Sequence, residues 1–194
     1  LAEVSFKIFD KKPNNLIAVT GTNGKSSIAD FYYQILNLNN KKVASIGTLG
    51  VKSKYYKRDL SNTTIDPIYL SKILTILKKQ NVNNIILEAS SHGLKQNRLD
   101  GLSFNTGIFT NLSQDHLDYH KNINNYLNAK LYLFKKLIKK NGNVITDEKI
   151  PEFKKINKIS RKKNLNLYSL NDKKNNFQYL SHEFQGDSQI LKVR

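Results

Sequence analysis

Short apolar runs and helix-spaced apolar stripes alternate along this chain. Leu16-Ile17-Ala18-Val19 is an unbroken apolar run of strand length, and Ile28, Phe31, Tyr32, Ile35 and Leu36 then recur at the intervals of one helix face. Val43 to Ile46 predicts a second strand, and Thr48 to Asp59 a short hairpin or excursion. Leu70, Ile73, Leu74 and Leu77 mark the next helix, Ile85-Ile86-Leu87 a fully buried central strand, and Thr106 to Thr110 another strand. A long helix is predicted from about Ile123 to Ile138. Val144-Ile145 and Leu165–Tyr168 read as strands around a helix near Pro151 to Ile159. From Phe177 to Val193 the polar and apolar residues alternate about a Gly186-Asp187 turn, which predicts antiparallel hairpin strands. Strands alternating with helices predict an α/β fold: a mostly parallel sheet with flanking helices, a phosphate loop, and a small antiparallel element near the C-terminus. There is no internal repeat and no low-complexity linker.

The chemistry concentrates where strands end. Gly21-Thr22-Asn23-Gly24-Lys25-Ser26-Ser27 lies between the first strand and the first helix. Glycines at such a turn let backbone N–H groups converge, and the helix start adds positive potential, so a phosphate chain is the natural guest. Lys25 can reach the β- and γ-phosphates and Ser26 can ligate Mg²⁺. The loop is shorter than the common G-x-x-x-x-G-K-[ST] pattern, whose first glycine position is Val19 here. Glu88 directly follows the central strand, where a carboxylate can hold Mg²⁺ or merely cap the next turn; the polar string Ala89-Ser90-Ser91-His92-Gly93-Leu94 after it reads as a loop. The segment Asn111 to His120 packs two His and two Asp into 115–120, a spacing foreign to zinc and better suited to Mg²⁺ with oxygen ligands and one imidazole. Lys130 falls on the apolar stripe of the long helix. It either snorkels to the surface or serves as a functional amine, one that conversion could turn into an anion.

Composition sharpens this. With 39% apolar residues the 194-residue chain can bury a core, and with no Cys it has neither disulfides nor Cys-based metal sites. No apolar run approaches the roughly 20 residues of a membrane helix, and no signal peptide is visible, so a cytoplasmic protein with no membrane partner is expected. The absence of Met, even at position 1, predicts a piece of something longer. A net charge of +17 invites a nucleic-acid reading, but the Lys pairs are scattered and no Arg–aromatic cluster accompanies them, so nucleic acid is not favoured.

G-T-N-G-K-S, then Asn62-Thr63-Thr64, then E-A-S-S-H-G-L with Gln96 and Arg98, then T-N-L-S-Q-D-H-L-D-Y-H and Y-L-N-A-K-L-Y-L-F together resemble the Mur ligases of peptidoglycan synthesis. S-S-H-G-L and D-H-L-D-Y-H resemble the type that adds the third stem-peptide residue. The resemblance spans roughly Leu16 to Phe134 and continues more weakly to the tail. It implies that residues 21–27 bind ATP, that Lys25 and Ser26 hold phosphates and Mg²⁺, that Glu88 ligates Mg²⁺, and that His116 serves a second Mg²⁺. It implies a carbamylated Lys130, with Lys25, Lys130 and His116 as catalytic residues. It also implies that Asn62, Thr63, Thr64, Ser90, Gln96 and Arg98 face the UDP-MurNAc-dipeptide, to which diaminopimelate or lysine is added. The chain departs from the family in Ser26, where Thr is commoner, and in Ile65-Asp66, which precede Pro67. The resemblance further implies that 1–194 is the central domain alone, without the uridine-binding and amino-acid-binding domains, in a monomeric protein. A folylpolyglutamate synthase-like ligase and a basic NTP-dependent nucleic-acid binder are the alternatives.

Overall fold

A computed structural model of the chain describes residues 1–170 and 179–193. Its centre is strand β1 (Asn15–Thr20), buried over five of six residues, so that it reads as an apolar run rather than an alternation. Helix α1 (Ala2–Ile8) precedes it, and helix α2 (Lys25–Leu38) follows the phosphate loop. Next come β2 (Val43–Gly47), β3 (Gly50–Lys52), α3 (Pro67–Lys79), β4 (Asn84–Glu88), α4 (Ser91–Lys95) and β5 (Phe104–Phe109). Helices α5 (Leu117–His120) and α6 (Ile123–Tyr132) lead through a π-helical turn, Leu133–Leu137, into β6 (Ile138–Asp147), α7 (Phe153–Lys163) and β7 (Asn166–Leu170).

These seven strands form one sheet in the order β3-β2-β4-β1-β5-β6-β7, parallel throughout except for β3, which turns back antiparallel on β2. A separate antiparallel pair, β8 (Tyr179–Gln185) and β9 (Ser188–Val193), turns at Gly186. The fold class read from the sequence is the one observed. Phe177, the start assigned to that hairpin, lies outside the described residues.

β1 takes β4 on one side and β5 on the other. The loops leaving the carboxyl ends of these three strands therefore converge on one crevice, where open α/β sheets bind ligands. Local chemistry fixes the helices around it. α3 starts at Asp66, whose carboxylate accepts Tyr69 N–H at 2.9 Å, with Pro67 in the first turn. Asn122 caps α6 in the same way through Asn125 N–H.

Three elements differ from the sequence reading. The polar string after β4 is not all loop: Ser90 accepts Gly93 N–H and starts α4. The long helix stops being α-helical at Tyr132, and Ile138 already belongs to β6. The wider turn at 133–137 brings Leu133, Phe134 and Leu137 into the core together. Helix α1 had too short a stripe to be read, with only Ala2 and Phe6 as buried apolar residues.

Candidate active site

The phosphate loop is held open by backbone that favours glycine. Gly24 has φ +83° at the N-cap of α2, and Gly21, at φ +154°, passes so close to Thr110 that a Cβ would collide with its side chain. The loop also leans on the segment after β5. Asn111 takes Thr22 N–H on its carbonyl and Asn23 N–H on its side chain, both at 3.0 Å, and Thr110 Oγ1 donates to the Asn23 carbonyl at 2.7 Å. Those two amides are thus spent inside the protein. The donors left for a phosphate are the unpaired N–H groups at the first turn of α2, Lys25 to Ser27.

Two ammonium groups meet on one carbonyl. Lys25 Nζ donates to the Gly21 and Thr22 carbonyls at 3.0 and 2.8 Å, and Lys130 Nζ reaches the same Gly21 carbonyl at 2.6 Å. Lys130 is 1% exposed, so it does not snorkel; its Nζ sits 4.2 Å from the centroid of the Tyr126 ring. Burial, helped by Lys25 and opposed by Asp115, pulls the Lys130 amine from 10.5 down to about 7. Burial also lowers Lys25, against the pull of Glu88 and Asp115.

Glu88 is 2% exposed at the end of β4. It does not cap α4. Its carboxylate accepts Ser26 Oγ at 2.9 Å, Thr48 N–H at 2.9 Å and Thr48 Oγ1 at 3.2 Å. Gly47 makes room for it, since a Cβ there would collide with the carboxylate. Among the described residues no cation forms an ion pair with this buried carboxylate.

The segment before α5 carries His116 in a left-handed conformation, φ +52°, with its ring nitrogen 3.4 Å from Asp115. The His116 ring packs edge-on against His92 at 4.8 Å. His92 lies against Tyr119, and His120 against Tyr126. Burial lowers the pKa of both His92 and His120, and the neighbouring imidazoles add to the shift.

A cleft of about 340 Å³ joins most of these groups: Lys25, His116 and Lys130 line it together with Asn62, Thr63, Thr64, Ser90, Gln96 and Arg98. Every residue proposed from sequence for the acceptor therefore faces one space with Lys130. Their freedom differs. Thr64 Oγ1 is spent, donating to the Glu88 carbonyl at 2.8 Å and accepting Ser90 N–H at 2.9 Å. Arg98 donates to the Thr64 carbonyl at 2.6 Å, and Gln96 to Tyr119 OH at 3.2 Å. Tyr126 and His92, which also line the cleft, were not singled out from sequence. Tyr126 OH lies 3.3 Å from Thr22 Oγ1, which ties α6 to the phosphate loop. Its aromatic ring counts as one more apolar position on the helix stripe, so no sequence signal set it apart.

Comparison with known proteins gives matches over most of the chain. The family model for the Mur ligase middle domain matches residues 19–193. The chain is 44% identical over 145 residues to the UDP-N-acetylmuramoyl-L-alanyl-D-glutamate--2,6-diaminopimelate ligase of Brucella melitensis biotype 1, a match covering 75% of this chain and 30% of that protein. Against the ligase of the same name from Rickettsia felis it is 49% identical over 130 residues, or 65% of this chain and 24% of that one. A solved structure bearing this ligase name superposes with a TM-score of 0.80 at 28% identity, covering 94% of this chain and 37% of the other. The apo folylpolyglutamate synthase of L. casei superposes at 0.77 with 12% identity, over 98% and 53% of the chains, a likeness of fold alone. The chain spans about a quarter to a third of the length of these curated relatives.

Proposed function

The chain belongs to the Mur ligase family, as its middle domain, and on that premise we propose that it is the ATP-binding domain of an ATP-dependent amide ligase. The acceptor is UDP-MurNAc-L-Ala-D-Glu, to which the third stem-peptide residue is added. The relatives are named for diaminopimelate, so diaminopimelate rather than lysine is the amino acid assigned here. The enzyme works as a monomer in the cytoplasm; among the described residues no helix is long and apolar enough to cross a membrane.

The observation that carries this reading is the convergence of Lys25 and Lys130 on Gly21 beside a buried carboxylate, Glu88, that has no ion-pair partner among the described residues. Such a place favours a polyphosphate with a divalent cation. The donor set fits Mg²⁺: the Glu88 carboxylate and Ser26 hydroxyl are hard oxygen ligands already side by side, and His116, which lines the cleft with Lys25 and Lys130, would serve a second Mg²⁺. When bound, Mg²⁺ would neutralise charge on the phosphates and orient them.

The residues then divide the work. The first turn of α2 and Lys25 hold the β- and γ-phosphates, and Lys25 offsets charge on the transferring phosphoryl group. A carboxylate oxygen of the acceptor's D-Glu forms the new P–O bond as the bond to ADP breaks, giving an acyl-phosphate. The diaminopimelate amine attacks the acyl carbon, phosphate departs with the C–O electron pair, and the amine proton is released. Arg98, Gln96 and Ser90 orient the acceptor. Neutral Lys130 amine adds CO₂, forming an N–C bond and releasing a proton, and the resulting carbamate faces Lys25 as an anion in place of a second cation.

The test uses the full-length ligase with ATP, Mg²⁺, UDP-MurNAc-L-Ala-D-Glu and diaminopimelate. Chromatography should show UDP-MurNAc-tripeptide in step with ADP and phosphate. Glutamate transfer to a folate, with no tripeptide formed, would overturn the reading.

A further inference from the structure

Of the groups assigned to metal, Glu88 is fixed at the end of a central strand, whereas His116 sits on a short support. His116 is the left-handed N-cap of a one-turn helix, and its own side chain is about half exposed. Glu88 ends a strand, and Ala89 and Ser90 carry the chain from there to α4. One set of hydrogen bonds links the two. His120, the last residue of α5, is 3% exposed, and its N–H donates to the His116 carbonyl at 3.0 Å. Its ring nitrogen Nε2 lies 3.0 Å from Ser91 Oγ, across from α5 to the first residue of α4. Ser90, next to Ser91, donates its N–H to Thr64 Oγ1, which donates to the Glu88 carbonyl. The His120 ring is also wedged against Tyr119 at 4.8 Å and Tyr126 at 5.1 Å, so it has little freedom to swing away.

We propose that His120 is a positioning residue: through Ser91 it locks the turn bearing His116 to the start of α4, so that metal and acceptor are presented in one register. This rests on the ligase reading above. The metal side (His116) and the acceptor side (Ser90, Gln96, Arg98) belong to different segments, joined directly by two side-chain bonds: the exposed Gln96–Tyr119 bond at 3.2 Å and the buried His120–Ser91 bond at 3.0 Å, of which only the second is shielded from water. A buried imidazole that neither bonds the phosphate loop nor lines the cleft has its use here in holding geometry. A reaction whose attacking carboxylate must meet the γ-phosphate is sensitive to a shift of about 1 Å between those segments.

The experiment compares three variants of the full-length ligase. His120→Phe keeps the ring packing and removes the bond, Ser91→Ala removes its other end, and His120→Gln offers a group of similar reach. His120→Phe and Ser91→Ala should each raise the Mg²⁺ concentration for half-maximal rate and the acceptor KM by about three- to tenfold, the cost of one neutral hydrogen bond. KM for ATP should stay within about twofold, because the phosphate loop is untouched. The double variant should be no worse than the poorer single one, and His120→Gln should recover most of the loss. A merely structural role would lower Tm and leave these constants unchanged in the folded fraction. Additive losses, or unchanged constants in His120→Phe, would overturn the proposal. Should the wild-type enzyme form no tripeptide, the ligase reading fails by itself. Amide exchange of His120 and Lys121 in the chain then decides the tether: it should quicken in His120→Phe and Ser91→Ala and hold in His120→Gln, and unchanged exchange in all three would refute it.

Discussion

Lys130 is an ammonium in surroundings that suit a neutral amine. Burial and Lys25 hold its pKa at about 7, whereas unfolding returns it to 10.5. Between those values the unfolded chain binds a proton that the fold does not, so stability rises with pH across that window and is lowest below it. Lys130→Met removes this contribution. Urea unfolding should show the variant gaining most at pH 6, with a shallower rise towards pH 9 than the wild type, while ligation is lost. An equally steep rise in both would put the shifted pKa elsewhere. Lys130 was legible in the sequence because a charge interrupts an apolar stripe, and Lys25 because of its loop. Gly47 was not, since its only signal is the volume it leaves for Glu88, 41 positions away in the chain. Gly47→Ala must push that carboxylate aside. We expect the Mg²⁺ requirement to rise about tenfold or more, consistent with a lost ligand contact, with the domain still folded by circular dichroism. Unchanged Mg²⁺ dependence would remove Glu88 from the metal site.

At the scale of elements, the alternation of buried runs and helical stripes was enough to place β1, α2, β2, α3, β4 and β5, because a parallel sheet covered on both faces leaves its period in the apolar pattern. The misreadings share a cause. Ser91 to Lys95 is helical because Ser90 caps it and Gly93 passes close to the Thr64 side chain, contacts that no local stripe records. The end of the long helix is decided by the packing of Phe134 and Ile138 around Gly107, also a tertiary matter. α6 carries Tyr126 and Lys130, so its start should matter for the site as well as for stability. Asn122→Ala leaves Asn125 N–H without its cap and should cost about 1 kcal/mol, seen as a lower urea midpoint at unchanged slope. An unaltered midpoint would mean that α6 is held by Tyr126 and Leu131 packing alone.

At the scale of the whole molecule, charge and extent govern what the chain can do. It spans about a quarter to a third of its relatives' length, and the cleft proposed to take phosphates and acceptor has no residue assigned to the incoming amino acid. The chain alone should therefore bind Mg²⁺·nucleotide and form no amide, which calorimetry and product analysis can check together. Its net charge of +17 was legible from the start, but what that charge serves was not, because composition cannot separate a general field from a site. The ligase reading separates them. ATP and the UDP-linked acceptor are both polyanions, so a positive molecule should speed their arrival, and that field is screened as the Debye length shrinks from about 30 Å at 0.01 M salt to about 8 Å at 0.15 M. For the chain, the association rate of ATP should fall across that range while its dissociation rate changes far less. Lys25→Ala should abolish nucleotide binding by the chain even at low salt, because the loop and not the general field makes the site. Affinity for RNA that survives Lys25→Ala at 0.15 M salt, with ATP association indifferent to salt, would instead assign the charge to a nucleic-acid partner.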